Sequence, residues 1–343
     1  MRTLIIAEAG VNHNGDVTLA EQLVDAAQAA GADAVKFQTF KAENLVTPQA
    51  ARAKYQEKNI GGNESQYEML KRLELSFSDF VRLQKYCNKK EIQFLSTPFD
   101  EESAQFLIQE LGMSYIKVPS GEVANLPFLK TLASFQKPMI VSTGMSDLQE
   151  VRSAVAAIQS VPKSGPVTLL HCTSNYPCPF EEVNLNAMQT LRETFHLPVG
   201  YSDHTMGIEI PIAAVALGAV VLEKHFTLDR ALQGPDHACS LIPKELKEMV
   251  VAVRRVEQSL GSGEKKPTAS ELETRNLVRK SLVLTRSLSA GTLLTAKNFV
   301  SKRPGDGISP NDLEKIIGLP LAVDKKAGET LHWNDIQGGA RAT

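Results

Sequence analysis

Apolar and polar positions alternate in blocks along most of the chain. Eight short runs rich in β-branched residues, TLIIAEAG (3–10), DAVKFQTF (33–40), IQFLSTPF (92–99), SYIKVPSGE (114–122), PMIVSTGM (138–145), VTLLHCTS (167–174), PVGYSDH (198–204) and AVVLEKHF (219–226), read as strands with polar residues at their ends. Between most of them lie stretches of helical period. Leu19, Leu23, Val24, Ala27 and Ala30 fall on one stripe that stops at Gly31, and Phe80–Asn88, Ser103–Leu111, Leu148–Gln159 and Ile208–Leu217 behave alike. The eighth run leads into KELKEMVVAVRRVEQSLG (244–261). Strands alternating with helices build a parallel sheet, and eight such units close it into a (β/α)8 TIM barrel of the α/β class. A doubly wound open sheet would carry a G-x-G-x-x-G turn after its first strand, which AEAGVNHNG (7–15) is not.

The alternation is interrupted twice. Lys41–Leu75 is longer than a plain connection and predicts an insert over the barrel mouth. After Leu260, GSGEKKPTAS (261–270) is a polar Gly/Pro/Ser stretch, so we divide the chain into a barrel (1–262), a linker (263–278) and a small C-terminal domain (279–343). That domain carries a faint duplication, SAGTLLTAKNF (289–299) against KAGETLHWNDI (326–336). Its core would be marginal on its own, so it should lean on something else.

Composition narrows the partners. With 43% hydrophobic and 22% charged residues the chain of 343 residues is ordinary globular protein, and a net charge of -2 without a basic run indicates neither a nucleic-acid footprint nor an anionic-membrane patch. Small molecules are the expected partners. Glu8 cuts the first apolar run too short for a signal segment or a membrane span, and the 4 cysteines show neither C-x-x-C spacing nor disulfide-scaffold density. The expected location is a reducing compartment, the cytoplasm.

Parallel barrels carry catalytic groups where strands end. In KFQ, the period of two sends Lys36 and Gln38 into the lumen and Val35 and Phe37 toward the helices. Lys36 and Lys117, ringed by the hydroxyls of Thr97, Ser120, Ser142 and Ser202, are a composition suited to a small, multiply charged anion such as a phosphate-bearing substrate. Two other readings stand beside it: Lys36 neutralised by Glu8 or Glu122 as an internal ion pair, and one lysine acting as a Schiff-base nucleophile. His204 and His225 end neighbouring strands and could share one divalent ion with water and substrate oxygens, which suits an open octahedral ion such as Mn2+ better than closed tetrahedral zinc. His171 reads equally well as a packing residue. Asp236 and Glu122 could bind hydroxyls of a polyol, or be solvated or capping carboxylates.

These segments, IIAEAGVNHNGD, ADAVKFQTFKAENLV, FLSTPFD, IKVPSGE, VSTGM, LLHCTSNYP, GYSDHT, LEKHFTLD and GPDH, occur in an order that resembles the sialic acid synthase family, the N-acetylneuraminate and related nonulosonate synthases. VSKRPGDGISP and IIGLPL resemble the antifreeze-like (SAF, β-clip) domain that ends those enzymes. The resemblance implies metal-dependent condensation of phosphoenolpyruvate with the open-chain aldehyde of N-acetylmannosamine, yielding N-acetylneuraminate and phosphate. A 2,4-diacetamido-2,4,6-trideoxymannose substrate, giving legionaminic acid, is the alternative within the family, and a noncatalytic sugar- or ice-binding protein the alternative outside it. The implied metal is Mn2+, with Mg2+ or Co2+ as substitutes, on His204 and His225. By the same resemblance Lys36, Thr97, Lys117, Ser120, Ser142 and Ser202 hold phosphoenolpyruvate, and Gln38, Glu8, Glu122, Tyr176 and Asp236 face the sugar. Glu8 is the candidate general acid or base. Either Ser174 or Asn175 reaches the ligand, because HCTSNYP carries Ser174 where some members have Asn. The implied assembly is a domain-swapped homodimer in which Arg303 of KRPG covers the partner's sugar site.

Overall fold

The computed structural model describes residues 2–61 and 64–338. All eight apolar runs are strands: β1 (Leu4–Gly10), β2 (Ala34–Thr39), β3 (Gln93–Pro98), β4 (Ile116–Val118), β5 (Met139–Ser142), β6 (Val167–His171), β7 (Val199–Asp203) and β8 (Val221–His225). They pair in parallel in the order β3-β2-β1-β8-β7-β6-β5-β4, and β3 lies against β4 to complete the ring. Most strand residues are buried because the lumen lies on one side and helices cover the other.

The first helix, α1 (Val17–Ala30), starts at Asp16, whose side chain accepts from the Thr18 amide. It buries Ala20, Leu23, Val24, Ala27 and Ala30. The expected stripe is thus rotated slightly, with Ala20 packed inward and Leu19 half-buried at its margin. The segment 103–111 is a short α-helix, Glu101–Gln105, continued by one π-helical turn, Phe106–Glu110. Outside the lumen, Asp203 and Lys224 form a fully buried ion pair between β7 and β8, with the Thr205 carbonyl as a further acceptor for the ammonium.

Among the described residues the insert contains three helices, α2 (Ala42–Leu45), α3 (Lys54–Ile60) and α4 (Gln66–Leu73). Met69 and Leu73 of α4 pack with Val11 and Phe40 into a small cluster separate from the main core. Asn59 of α3 donates to the Pro235 carbonyl, 2.7 Å away, in the loop that follows β8. These contacts fix the insert at the C-terminal end of the strands.

The chain divides into two compact units, 1–261 and 262–343. In the second, an exposed helix, Ala269–Val278, occupies much of the stretch read as linker. It precedes an antiparallel pair, β9 (Ser281–Leu284) and β10 (Phe299–Lys302). Leu282, Leu284, Leu294, Ile308, Ile316, Leu321 and Leu331 form a compact core of its own. The duplication is structural: Gly291 and Gly328 take φ of 82° and 86°, and each repeat runs on into a single 3-10 turn, at Ala296–Asn298 and Trp333–Asp335. Residues 339–343 of the expected domain lie outside the described residues.

Candidate active site

The strand ends and the insert enclose a cavity of about 360 Å³. Thirteen of the sixteen residues singled out from sequence line it: Glu8, Lys36, Gln38, Thr97, Lys117, Ser120, Ser142, Ser174, Tyr176, Ser202, His204, His225 and Asp236. Its floor is ionic. Lys36 Nζ lies 2.6 Å from Glu8 Oε2 and donates to Thr97 Oγ1 at 2.8 Å. Lys117 Nζ donates to Ser142 Oγ at 2.8 Å. Between the two amines sits Glu223, 3.7 Å from Lys36 and 3.6 Å from Lys117, with Ser202 Oγ donating to it at 3.0 Å. The internal ion pair of Lys36 and Glu8 is therefore present in the free protein, and both lysines are already neutralised in part.

Burial and these neighbours set the protonation states. Burial pulls Lys36 down, but Glu223 and Glu8 outweigh it and its pKa ends raised. Lys117 is lowered, burial being the main cause. Glu223 would be raised by burial, yet Lys117 and Lys36 together hold it well below the usual carboxylate range. Glu8, raised chiefly by burial against the pull of Lys36, is pushed up to about 7. Two carboxylates with divergent pKa values, one ionised and one poised near neutrality, are what an acid–base site requires.

At the other side of the cavity His204 and His225 approach with ring centroids 5.6 Å apart. The Thr173 carbonyl, 2.7 Å from His204 Nδ1, can only accept, so it fixes the proton there and leaves Nε2 with a free lone pair. His225 Nδ1 is buried without a hydrogen-bond partner, 4.0 Å from Asp236 Oδ2. Burial lowers the pKa of both imidazoles and raises that of Asp236 to about 6. Two neutral imidazoles and an underneutralised carboxylate fit a divalent cation chemically. Among the described residues no group of three or more His, Cys, Asp or Glu has metal-holding geometry, so the protein would supply few ligands and leave the rest to water and substrate. Tyr176 packs on His204 at 4.1 Å and meets His225 edge-on at 5.6 Å.

Three expected residues sit elsewhere. Glu122 ends a 3-10 turn, Ser120–Glu122, and its carboxylate accepts from Asn125 Nδ2 at 2.7 Å, a local cap rather than a cavity group. Of the alternatives Ser174 and Asn175, Ser174 lines the cavity while Asn175 is exposed and reaches toward Glu182. Arg303 belongs to the second unit, where its Nε donates to the Val278 carbonyl. His171 Nε2 donates to the Val183 carbonyl at 2.7 Å, the structural role allowed for it.

Sequence reasoning passed over Glu223, although the same period of two places Glu223 and His225 inward and Lys224 outward. It also missed Tyr55 of α3, which stacks on Tyr176 at 5.1 Å, and Cys172, whose Sγ lies 3.1 Å from Ser120 Oγ. Tyr55 left no periodic signal, since its helix is short and is placed by long-range packing.

With this geometry in hand, the profile of the NeuB family matches residues 23–265 and that of the SAF domain residues 279–337. An N,N'-diacetyllegionaminic acid synthase of Legionella pneumophila is 51% identical over 98% of this chain and 95% of its own length. One of Campylobacter jejuni is 49% identical over 96% and 99%. Among solved structures, the N-acetylneuraminic acid synthetase of Leptospira borgpetersenii superposes with a TM-score of 0.70 at 38% identity, covering 81% of this chain and 93% of that one. The chain thus belongs to the NeuB family, the sialic acid synthase family of nonulosonic acid synthases, and ends in a SAF domain.

Proposed function

We propose that the protein condenses phosphoenolpyruvate with 2,4-diacetamido-2,4,6-trideoxymannose, releasing phosphate and N,N'-diacetyllegionaminate. The observation that carries the chemistry is the convergence of Lys36 and Lys117 with four hydroxyls beside the His204–His225 pair in one cavity. The sugar rests on the two bacterial relatives at 51% and 49% identity, which favour it over the N-acetylmannosamine suggested first by the motifs.

In this reading Lys36 and Lys117 bind the phosphate and carboxylate of phosphoenolpyruvate, with Thr97, Ser120, Ser142 and Ser202 supplying hydrogen bonds. His204 and His225 would hold a divalent ion, Mn2+ by preference, which would supply Lewis-acid polarisation of the sugar's aldehyde. The methylene carbon of phosphoenolpyruvate attacks the aldehyde carbon, water adds at the carbon bearing phosphate, and the tetrahedral adduct expels phosphate by C–O cleavage. Glu8, poised near neutrality, moves the proton, and Gln38, Tyr176, Ser174 and Asp236 orient the sugar. Glu223 favours the charged form of both lysines in the free protein.

The test is phosphate release from phosphoenolpyruvate with each sugar in turn, in the presence of Mn2+. A preference for N-acetylmannosamine would return the N-acetylneuraminate reading, and no release with any sugar would favour a binding protein. His204→Ala and His225→Ala should each abolish release and the binding of Mn2+ measured by its electron paramagnetic resonance signal. Unchanged turnover would remove the metal from these residues. We also place the protein in the cytoplasm, as a domain-swapped homodimer in which the SAF domain covers the partner's barrel. Among the described residues no helix is long and apolar enough to cross a membrane. Full activity in a barrel truncated at Gly263 would refute the swapped arrangement.

A further inference from the structure

The cavity is chemically two-sided. Beside the polar strand-end groups and Tyr55 and Gln56 of α3, its lining includes Met69, Leu70 and Leu73, the three residues that α4 contributes, together with Val11 and Phe99. Their spacing on the helix, i, i+1 and i+4, puts them on one face. Met69 and Leu73 are almost wholly buried and anchor that face on Val11 and Phe40. Leu70 and Phe99 pack on the same cluster but are only half-buried, and both line the cavity. A ligand bound to the lysines and histidines therefore shares the cavity with an apolar patch made by Leu70 and Phe99. A hydroxyl held there would lose its water without gaining a partner, whereas a methyl group would fit.

We propose that this α4 wall, through Leu70 and Phe99, selects the acceptor sugar by receiving the C6 methyl of a 6-deoxy sugar. It rests on the reaction proposed above and adds the residues that discriminate between acceptors. A sugar with a hydroxymethyl group in place of the methyl is disfavoured, and an apolar pocket rejects an added hydroxyl by about 10²-fold at most. The insert is then the specificity element, while the strand ends perform the chemistry common to all acceptors.

The experiment compares kcat/KM for 2,4-diacetamido-2,4,6-trideoxymannose and for N-acetylmannosamine in the wild type, Leu70→Asn, Leu70→Met and Phe99→Ala. Leu70→Asn should move the ratio about tenfold toward N-acetylmannosamine, with the KM for phosphoenolpyruvate unchanged, and Leu70→Met should keep the wild-type ratio. Equal losses for both sugars, or an unmoved ratio in both Leu70→Asn and Phe99→Ala, would overturn the proposal. If the wild type itself prefers N-acetylmannosamine, the assigned sugar fails, yet the shift of the ratio in the variants still decides the role of the wall. Should neither sugar be turned over, calorimetric Kd values for the two sugars give the same ratio, and absence of binding to either overturns it. Melting curves show whether Leu70→Asn folds, and Phe99→Ala probes the wall from the barrel side if it does not.

Discussion

Replacing Glu223 by Gln removes one charge from the centre of the ionic floor while keeping shape and the hydrogen bond from Ser202. The carboxylate lies 3.6 Å from Lys117 and 3.7 Å from Lys36, so at an effective dielectric of about 20 each pair is worth ~4.5 kcal/mol of gross attraction. Desolvation of the three buried ions offsets much of this, and breaking a buried pair by deleting one partner typically costs about 3–5 kcal/mol. For a domain of this size about 2–4 °C of melting temperature is lost per kcal/mol, so the variant should melt about 6–20 °C below the wild type at pH 7. The fall should sit toward the lower end, because burial already depresses the pKa of Lys117 and that amine can shed its proton once Glu223 is gone. The pH dependence follows from the sign of the shift. Glu223 is held below its ordinary value of 4.5 in the folded state, so its contribution is complete above 4.5 and is lost as the pH falls from there toward the depressed value. The gap between the two melting temperatures, measured by circular dichroism, should therefore be wide at neutrality and close in acid. Equal melting at pH 7, or a gap that does not narrow below 4.5, would refute the coupling of Glu223 to the two lysines.

Gly144→Ala should cost about 10- to 100-fold in kcat/KM through displaced side chains. A Cβ there would lie 2.3 Å from Ser174 Oγ, 2.8 Å from Cys172 Sγ and 2.9 Å from Ser120 Oγ, all cavity residues, and steady-state kinetics with unchanged constants would contradict that crowding. Glu8, pushed up to about 7 by burial, should give turnover an ionisation near neutrality that Glu8→Gln abolishes; a pH profile of the same shape in the variant would exclude Glu8 from proton transfer. Arg303→Ala should raise the KM for the sugar by about tenfold, the loss of one charge-assisted hydrogen bond, while that for phosphoenolpyruvate stays put; unaffected sugar kinetics would count against the swapped dimer.

How far the site could be read from sequence depends on how far the strand geometry extends. Within a strand the alternation is rigid, and Lys36, Gln38, Lys117, Ser142, Ser202 and His225 all reach the cavity as that period requires. Glu223 obeys it too, two residues before His225 on the same face of the strand. Beyond the last strand residue the phase is lost. Glu122 is four residues past Val118, inside a 3-10 turn that swings its carboxylate onto Asn125, and Asn175 points outward where Ser174 points in. Tyr55 lies further still from any local rule: its position depends on Tyr176 and, through Asn59 on the same helix, on Pro235, partners more than a hundred residues away. The apolar wall is intermediate, since the helical spacing of Met69, Leu70 and Leu73 is legible but the half-exposure of Leu70 to the cavity is not. Cavity groups that belong to strands are thus encoded locally, whereas those proposed to choose a substrate are encoded by how the insert folds back over the barrel. Exchange of the insert between relatives with different acceptors should accordingly transfer sugar preference without altering the KM for phosphoenolpyruvate, and a chimera that keeps its parent's preference would show that the strand-end residues set both.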